Sequence, residues 1–275
     1  MKIIVTHLSP DFDALSACWL IIRYLPGWTQ AEIKYVPAGQ TYENKPVDSD
    51  SNIIHVDTGL GKFDHHQTNS ATCAAKIILD YLIKKNHVPA RIIPTLIRFT
   101  DFVVDIDHFR YVNYPDPAAD YHDFSLYQII EGLKSVINEK KELENIVFKL
   151  LDAQLQILNN KIIAELELKK GFIFQSKWGK AIVLESKNSE VLNLSLKMGF
   201  KLAAKKDPQT GNIRIKSFPK LDLTLLHQKI IQIDKKATWF FHVSRSMLLN
   251  GSSKNTHFIP SSLSVKRLIE LIKSV

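Results

Sequence analysis

The chain of 275 residues has only two cysteines, Cys18 and Cys73. Neither belongs to a CxxC pair and both lie in apolar, helix-like contexts, so reduced core thiols fit them better than a disulfide or a thiolate zinc site. Long apolar runs are also missing. After Met1-Lys2 only Ile3, Ile4 and Val5 precede His7 and Asp11, too short a run for a signal-peptide core or a membrane helix. The expected location is therefore the cytoplasm, with no membrane partner. No GxxxxGKS or GxxxxGKT occurs, which argues against a P-loop nucleotidase, and no GxSxG marks a serine nucleophile. With 10 Gly, 11 Pro, 45% hydrophobic and 23% charged residues, and neither repeats nor low-complexity tracts, the composition excludes disordered and fibrous classes. Two domains suit this length.

Charge is present but uneven. The net charge is +8. Residues 1–120 carry 11 Lys/Arg against 14 Asp/Glu, residues 121–170 carry 7 against 8, and residues 171–275 carry 18 against 6. An acidic first part followed by a basic last third suggests that one handles cations and the other a polyanion, although a merely solvated surface would show the same bias.

The periodicities indicate an α/β protein. Lys2 to His7 reads as a buried parallel strand, broken by Ser9-Pro10 and followed by an apolar helix from Asp13 to Pro26-Gly27. Further strands are expected at Glu32–Val36 and Ile53–Asp57, and helices at Ser70–Asn86 and Ile93–His108. Tyr111–Asp123, with Pro115 and Pro117, reads as a loop leaving the first domain. Residues 125–169 read as a helical connector. Hairpins follow around Trp178-Gly179 and Asp207–Gly211, with helices at 189–198, 222–236 and 261–273 and a buried strand at Trp239–His242. The expected organisation is a parallel-sheet catalytic domain over residues 1–115, a helical connector over 116–170, and a smaller mixed α+β, basic, substrate-binding domain over 171–275.

Ligands of parallel α/β sheets gather at the carboxyl ends of the strands. His7, Asp11 and Asp13 lie at one such end, where two carboxylates and an imidazole can converge on a divalent cation. Taken alone, Asp13 reads as readily as a helix cap. Asp57 closes the next strand end, and Asp64-His65-His66 follows it. Adjacent histidines cannot both face inward on a strand. The two groups fall on successive ends of one sheet, which favours a metal site over ordinary exposed polar residues.

His7-Leu8-Ser9-Pro10-Asp11-Phe12-Asp13-Ala14, then Val56-Asp57, then Asp64-His65-His66 resemble the first three motifs of the DHH phosphoesterase superfamily. The resemblance is specific over the first 110 residues and loose beyond them. It implies a parallel α/β catalytic domain with two divalent cations, Mn2+ foremost and Mg2+ or Co2+ as alternatives, followed by a smaller substrate domain. Carried over, His7 and Asp11 would hold the first ion, Asp13 and His65 the second, and Asp57 would bridge them. His66 would face the phosphate, and Asp64 would orient a ligand through its second ring nitrogen. A fourth motif implies one more carboxylate within Thr100–Asp107. Asp101 is chosen, with Asp105 second, because helical spacing puts both on one face.

The chain departs from that superfamily in two places. Leu15-Ser16-Ala17 stands where Gly-Ser is common, and the GGGH of the associated domain is absent. In its place are His242-Val243-Ser244-Arg245-Ser246 and Asn250-Gly251-Ser252-Ser253-Lys254. Of these, His242, Arg245, Gly251, Ser252, Ser253 and Lys254 are taken as candidate substrate contacts, since small hydroxyl residues around Gly with a Lys can cradle phosphate.

The expected activity is divalent-metal-dependent hydrolysis of single-stranded nucleic acid or short oligonucleotides by two-metal activation of water. Hydrolysis of cyclic dinucleotides or of a small phosphoanhydride such as pyrophosphate is one alternative. A non-catalytic nucleic-acid-binding protein is the other.

Overall fold

A computed structural model describes residues 1–251 and 257–275 of the chain. Ser252, Ser253 and Lys254 of the expected phosphate cradle lie outside the described residues. The chain divides into two units, Met1–Asn159 and Asn160–Val275. Most of the expected connector thus belongs to the first unit, and Tyr111–Asp123 stays within that unit instead of leaving it.

The first unit is built on a sheet of order β2-β1-β3, formed by β1 (Ile3–His7), β2 (Glu32–Val36) and β3 (Ile53–His55). Both pairings are parallel, with Ile4 opposite Ile33 and Ile54. Ile4, Val5 and Thr6 of β1 and Ile54 and His55 of β3 are buried, and β2 buries Ile33 and Val36, as parallel strands under helices require. Because β2 and β3 flank β1 on opposite sides, the chain reverses direction of winding at β1. The carboxyl ends of β1 and β3 therefore open a crevice at the switch point, the usual ligand position in such sheets.

Helix α1 (Phe12–Tyr24) begins where Asp11 Oδ1 accepts the Ala14 N–H at 3.0 Å. Its run of apolar residues is buried almost all round, from Phe12 to Ile21. Helices α2 (Ala74–Lys84) and α3 (Ile93–Asp107) pack beside it, α3 carrying Pro94 in its first turn, where a missing N–H costs nothing. The Phe12 ring meets Phe99 and Phe102 edge-on at 6.1 and 6.2 Å, which fixes the residue between Asp11 and Asp13 against α3.

The helical stretch expected over 125–169 is two helices, α4 (Leu126–Val136) and α5 (Lys140–Leu168). Glu139 ends the continuity: its carboxylate accepts the N–H groups of Lys141 and Glu142 and so starts α5 afresh. Leu143, Val147 and Leu151 of α5 enter the first unit's core. Ala164 and Leu168 pack in the second unit.

The second unit holds a six-stranded sheet of order β4-β5-β6-β7-β9-β8. Its elements are β4 (Phe172–Ser176), β5 (Gly179–Glu185), α6 (Glu190–Lys197), β6 (Leu202–Lys206), β7 (Ile213–Ser217), α7 (Thr224–Ile233), β8 (Trp239–Phe241), β9 (Met247–Asn250) and α8 (Val265–Lys273). The β5–β6 pair is parallel, joined through α6, and the remaining pairings are antiparallel. Both hairpins and the three C-terminal helices stand where the sequence puts them. Cys18 and Cys73 are buried and unpaired. Among the described residues, no helix is long and apolar enough to cross a membrane.

Phe99 is buried to 1% exposure and meets Trp19 edge-on at 5.5 Å as well as Phe12. Phe99→Ala should cost about 3–5 kcal/mol, the lost transfer energy plus a cavity that three rings cannot close. Chemical denaturation checks it, and a loss below about 1 kcal/mol would mean that this aromatic cluster does not anchor the motif loop.

Candidate metal centre

His7, the last residue of β1, and Asp57, two residues past β3, meet in the switch-point crevice, with His7 Nε2 3.2 Å from Asp57 Oδ2. Asp57 is left-handed, with φ 54°, a conformation that Asp tolerates better than most residues and that ordinarily needs surrounding support. The support is a tight loop in which the Asp57 N–H bonds the Phe63 carbonyl at 3.1 Å. Gly59, at φ 80°, allows that loop, and a Cβ there would also come 3.2 Å from the Thr41 side chain.

Asp13 is buried to 2% exposure. It does cap a helix, but the helix is α2: its Oδ2 accepts the Ala74 N–H at 2.7 Å and its Oδ1 the Ala75 N–H at 2.8 Å. The start of α1 is instead capped by Asp11. His65 Nε2 lies 3.2 Å from Asp57 Oδ1, 3.8 Å from Asp13 Oδ2 and 3.8 Å from Asp107 Oδ2. Three ligand-like groups result, each with its atoms within 4.8 Å of one another: His7, Asp11 and Asp57; Asp13, His65 and Asp107; and Asp57, His65 and His66.

Asp64 is buried and fully engaged. It accepts the Leu60 N–H at 2.8 Å, the His66 N–H at 3.1 Å and the His66 Nδ1 proton at 2.7 Å. The imidazole it orients is therefore His66 and not His65. Burial disfavours its charge, but these donors hold the carboxyl below its ordinary range.

The expected fourth-motif carboxylate, Asp101, is not brought to this cluster. Asp101 is exposed, and Asp105 pairs with Arg110 at 2.9 Å. Asp107 takes the place beside His65. Leu96, Thr100 and Val103 form the buried stripe of α3, and continuing their three- and four-residue steps leads to Asp107, while Asp101 and Asp105 lie on the other face. That stripe was readable in the sequence.

The electrostatics describe a surplus of buried negative charge. Burial, with the Asp57 charge second, pushes Asp13 up to about 8. Burial also raises Asp11 and Asp107. Burial works against Asp57 too, yet the facing His65 and His7 imidazoles outweigh it and hold its carboxyl below the ordinary range. In turn Asp57, then Asp107 and Asp13, lift His65 to about 9. Oδ1 of Asp57 is buried, with the His65 ring nitrogen 3.2 Å away but not aligned for a hydrogen bond. A buried carboxylate oxygen without a well-aligned donor, among carboxylates and imidazoles, fits divalent cations, which would relieve the repulsion that burial intensifies.

No family model matches the chain, and no curated protein matches it. Solved structures do. This chain is similar to DHH-domain proteins. One is the DHH domain of a member of the s1p family of ribosomal proteins, at 9% identity and TM-score 0.34 over 99% of this chain and 86% of that one. RecJ from Thermus thermophilus, solved with Mg2+, matches at 12% identity and TM-score 0.34 over 99% of this chain and 49% of that one, so this chain spans about half of RecJ's length. An exopolyphosphatase-related protein from Bacteroides fragilis matches at 12% identity and TM-score 0.29, over 99% of this chain and 91% of that one. At scores this low the overlays identify nothing by themselves, and the residues carry the reading that follows.

Of the expected C-terminal contacts, His242, Arg245 and Gly251 lie among the described residues. His242 and Arg245 sit in the turn between β8 and β9, with the Arg245 N–H on the His242 carbonyl at 2.8 Å. His242 Nδ1 meets Ser244 Oγ at 2.8 Å, and Arg245 pairs with Asp222 at 3.3 Å. Gly251 follows the far end of β9. Four strand residues separate the two groups, about 13 Å at the rise of a strand. Arg245 and Gly251 thus lie beyond opposite ends of β9.

His65 and Asp13 both bind protons more tightly in the metal-free fold than in the unfolded chain. Their stabilisation is present at low pH and is lost as pH rises, through about 8 for Asp13 and about 9 for His65. In chelator the melting temperature should fall from roughly pH 4, where Asp13 of the unfolded chain ionises, to about pH 9, most steeply above about 6.5 where His65 adds to it. Added Mn2+ should reverse the fall and release protons, and should bind more tightly as pH rises across that window. Calorimetric melting with and without the ion checks this; a flat profile in chelator would contradict it.

Proposed function

We propose that this protein is a DHH-type, divalent-metal-dependent phosphodiesterase that hydrolyses single-stranded nucleic acid or short oligonucleotides in the cytoplasm. The observation that supports it is the pair of ligand groups, His7/Asp11/Asp57 and Asp13/His65/Asp107, with Asp57 also within 3.2 Å of His65. In this reading each group holds one ion, Mn2+ foremost, and Asp57 is shared. When bound, the two ions supply a water of lowered pKa and screen the charge of a phosphoryl group under in-line attack.

The chain's own residues do the rest. Asp13, tied to two N–H groups of α2, keeps its carboxylate from rotating away. Asp64 holds the Nδ1 proton of His66 and leaves Nε2, on a ring that is 58% exposed, to exchange a proton at the leaving oxygen. With 18 basic against 6 acidic residues over 171–275, the second unit supplies affinity for the polyanion, with His242 and Arg245 as candidate contacts there. An exposed basic surface should make binding fall with salt by about 0.7 log units per log unit for each neutralised phosphate, and Arg245→Ala should lower that slope.

Asp57→Asn should reduce turnover by about a thousandfold or more while circular dichroism shows the fold intact, since the shared carboxylate offsets charge on both ions. His66→Ala should keep both ions and lose mainly turnover. Labelled single strands, dinucleotides and pyrophosphate assayed with Mn2+ and with chelator decide the activity; turnover of pyrophosphate alone would favour the phosphoanhydride reading, and loss of both ions in His66→Ala would overturn its role.

A further inference from the structure

Beside the ligand groups lies a cavity of about 650 Å3 whose lining includes Asp11, Asp13, His65, His66 and Asp107. Phe109, Tyr111 and Tyr127 line it as well. Six aromatic residues fall within 109–127, namely Phe109, Tyr111, Tyr114, Tyr121, Phe124 and Tyr127, in a segment with little core to fill. Phe109 is 67% exposed and left-handed, with φ 55°. A bulky residue in that conformation is strained, and an exposed phenyl ring gains nothing from folding. Neither cost is offset by packing, because Phe109 takes no part in the hydrophobic core of its unit. The left-handed residue lies just past the end of α3, two positions beyond Asp107. One helix terminus thus delivers a carboxylate to the ion cluster and a ring to the cavity next to it. Tyr111 follows at 6.2 Å from Phe109 and 5.5 Å from Tyr127, the ring pairs tilted by 48° and 36°. Gln128 lines the same cavity and offers both a donor and an acceptor.

We infer that Phe109 and Tyr111 form a stacking wall for the nucleobase attached to the phosphate being hydrolysed, so that this cavity selects nucleotides over inorganic phosphoanhydrides. The inference rests on the phosphodiesterase reading for its reaction but not for its ligand. Every base offers a π-face, so the wall accepts all bases with little sequence preference, and Gln128 adds contact to a base edge. Pyrophosphate has nothing to lay against these rings.

Binding of AMP and of ribose 5-phosphate to the Mn2+-loaded protein, measured by calorimetry, separates base from phosphate without any turnover. The wild type should bind AMP about ten times more tightly than ribose 5-phosphate, the scale of one base–aromatic stack. Phe109→Ala should remove most of that preference and leave ribose 5-phosphate binding and ion content unchanged; its exposure makes unfolding no concern. Tyr111→Ala should act in the same direction, and Tyr111→Phe should restore the preference. Equal affinity of the wild type for both ligands, or equal weakening of both in Phe109→Ala, would overturn the wall. If the protein hydrolyses no phosphodiester, the proposed reaction fails while the AMP comparison still decides this inference.

Discussion

Asp13 is the constraint on which the first unit turns. Its carboxylate is buried, belongs to α1, and bonds the first two N–H groups of α2. Those donors have no partner within their own helix, and the helix dipole favours the negative charge placed there. The same oxygens stand beside His65 and Asp57. One side chain therefore joins two helices and completes a cluster that could not bury its charges unaided. Its competing demands explain the metal-free electrostatics: the N–H donors favour the ionised form, while burial and Asp57 oppose it more strongly.

The cluster also depends on where the sheet reverses. A strand order of β2-β1-β3 puts the loops after β1 and β3 next to each other, so His7 and Asp57, fifty residues apart in the chain, come within 3.2 Å. Lys140 of α5 reaches across to the Leu8 carbonyl at 2.7 Å and lies over the Tyr35 ring at 4.9 Å, which holds the β1 loop from its outer side. The packing of Phe12 against α3 holds it from within.

Much of this was legible in the sequence. The strand ends of the first unit, and the hairpins and helices of the second, follow from periodicity and breakers, because each depends on neighbouring residues alone, whereas the meeting of His7, Asp11, Asp13, Asp57 and His65 was carried by the motifs and β9 was not foreseen. The features that were not legible depend on contacts between distant segments. Asp13 reads equally as a cap of α1, since nothing local shows that Asp11 already fills that position. Helical spacing puts Asp101 and Asp105 on one face of α3, but which face α3 buries is settled by the helices packed against it, and the buried stripe leads to Asp107. Tyr111–Asp123 reads as an exit from the domain, as Pro-rich loops often are, but it stays within the first unit and Tyr111 lines the cavity.

The end of α3 carries a further consequence. Asp107 closes the helix, and the backbone changes hand at Phe109. Everything before that change is held by the buried stripe of α3, while the aromatic segment after it has few ties to the core. Under the proposed function, such a division would let the reaction and the choice of what undergoes it vary separately. A different segment joined after residue 108 would meet the same carboxylates and imidazoles, so the proposed chemistry could be redirected by replacing a loop.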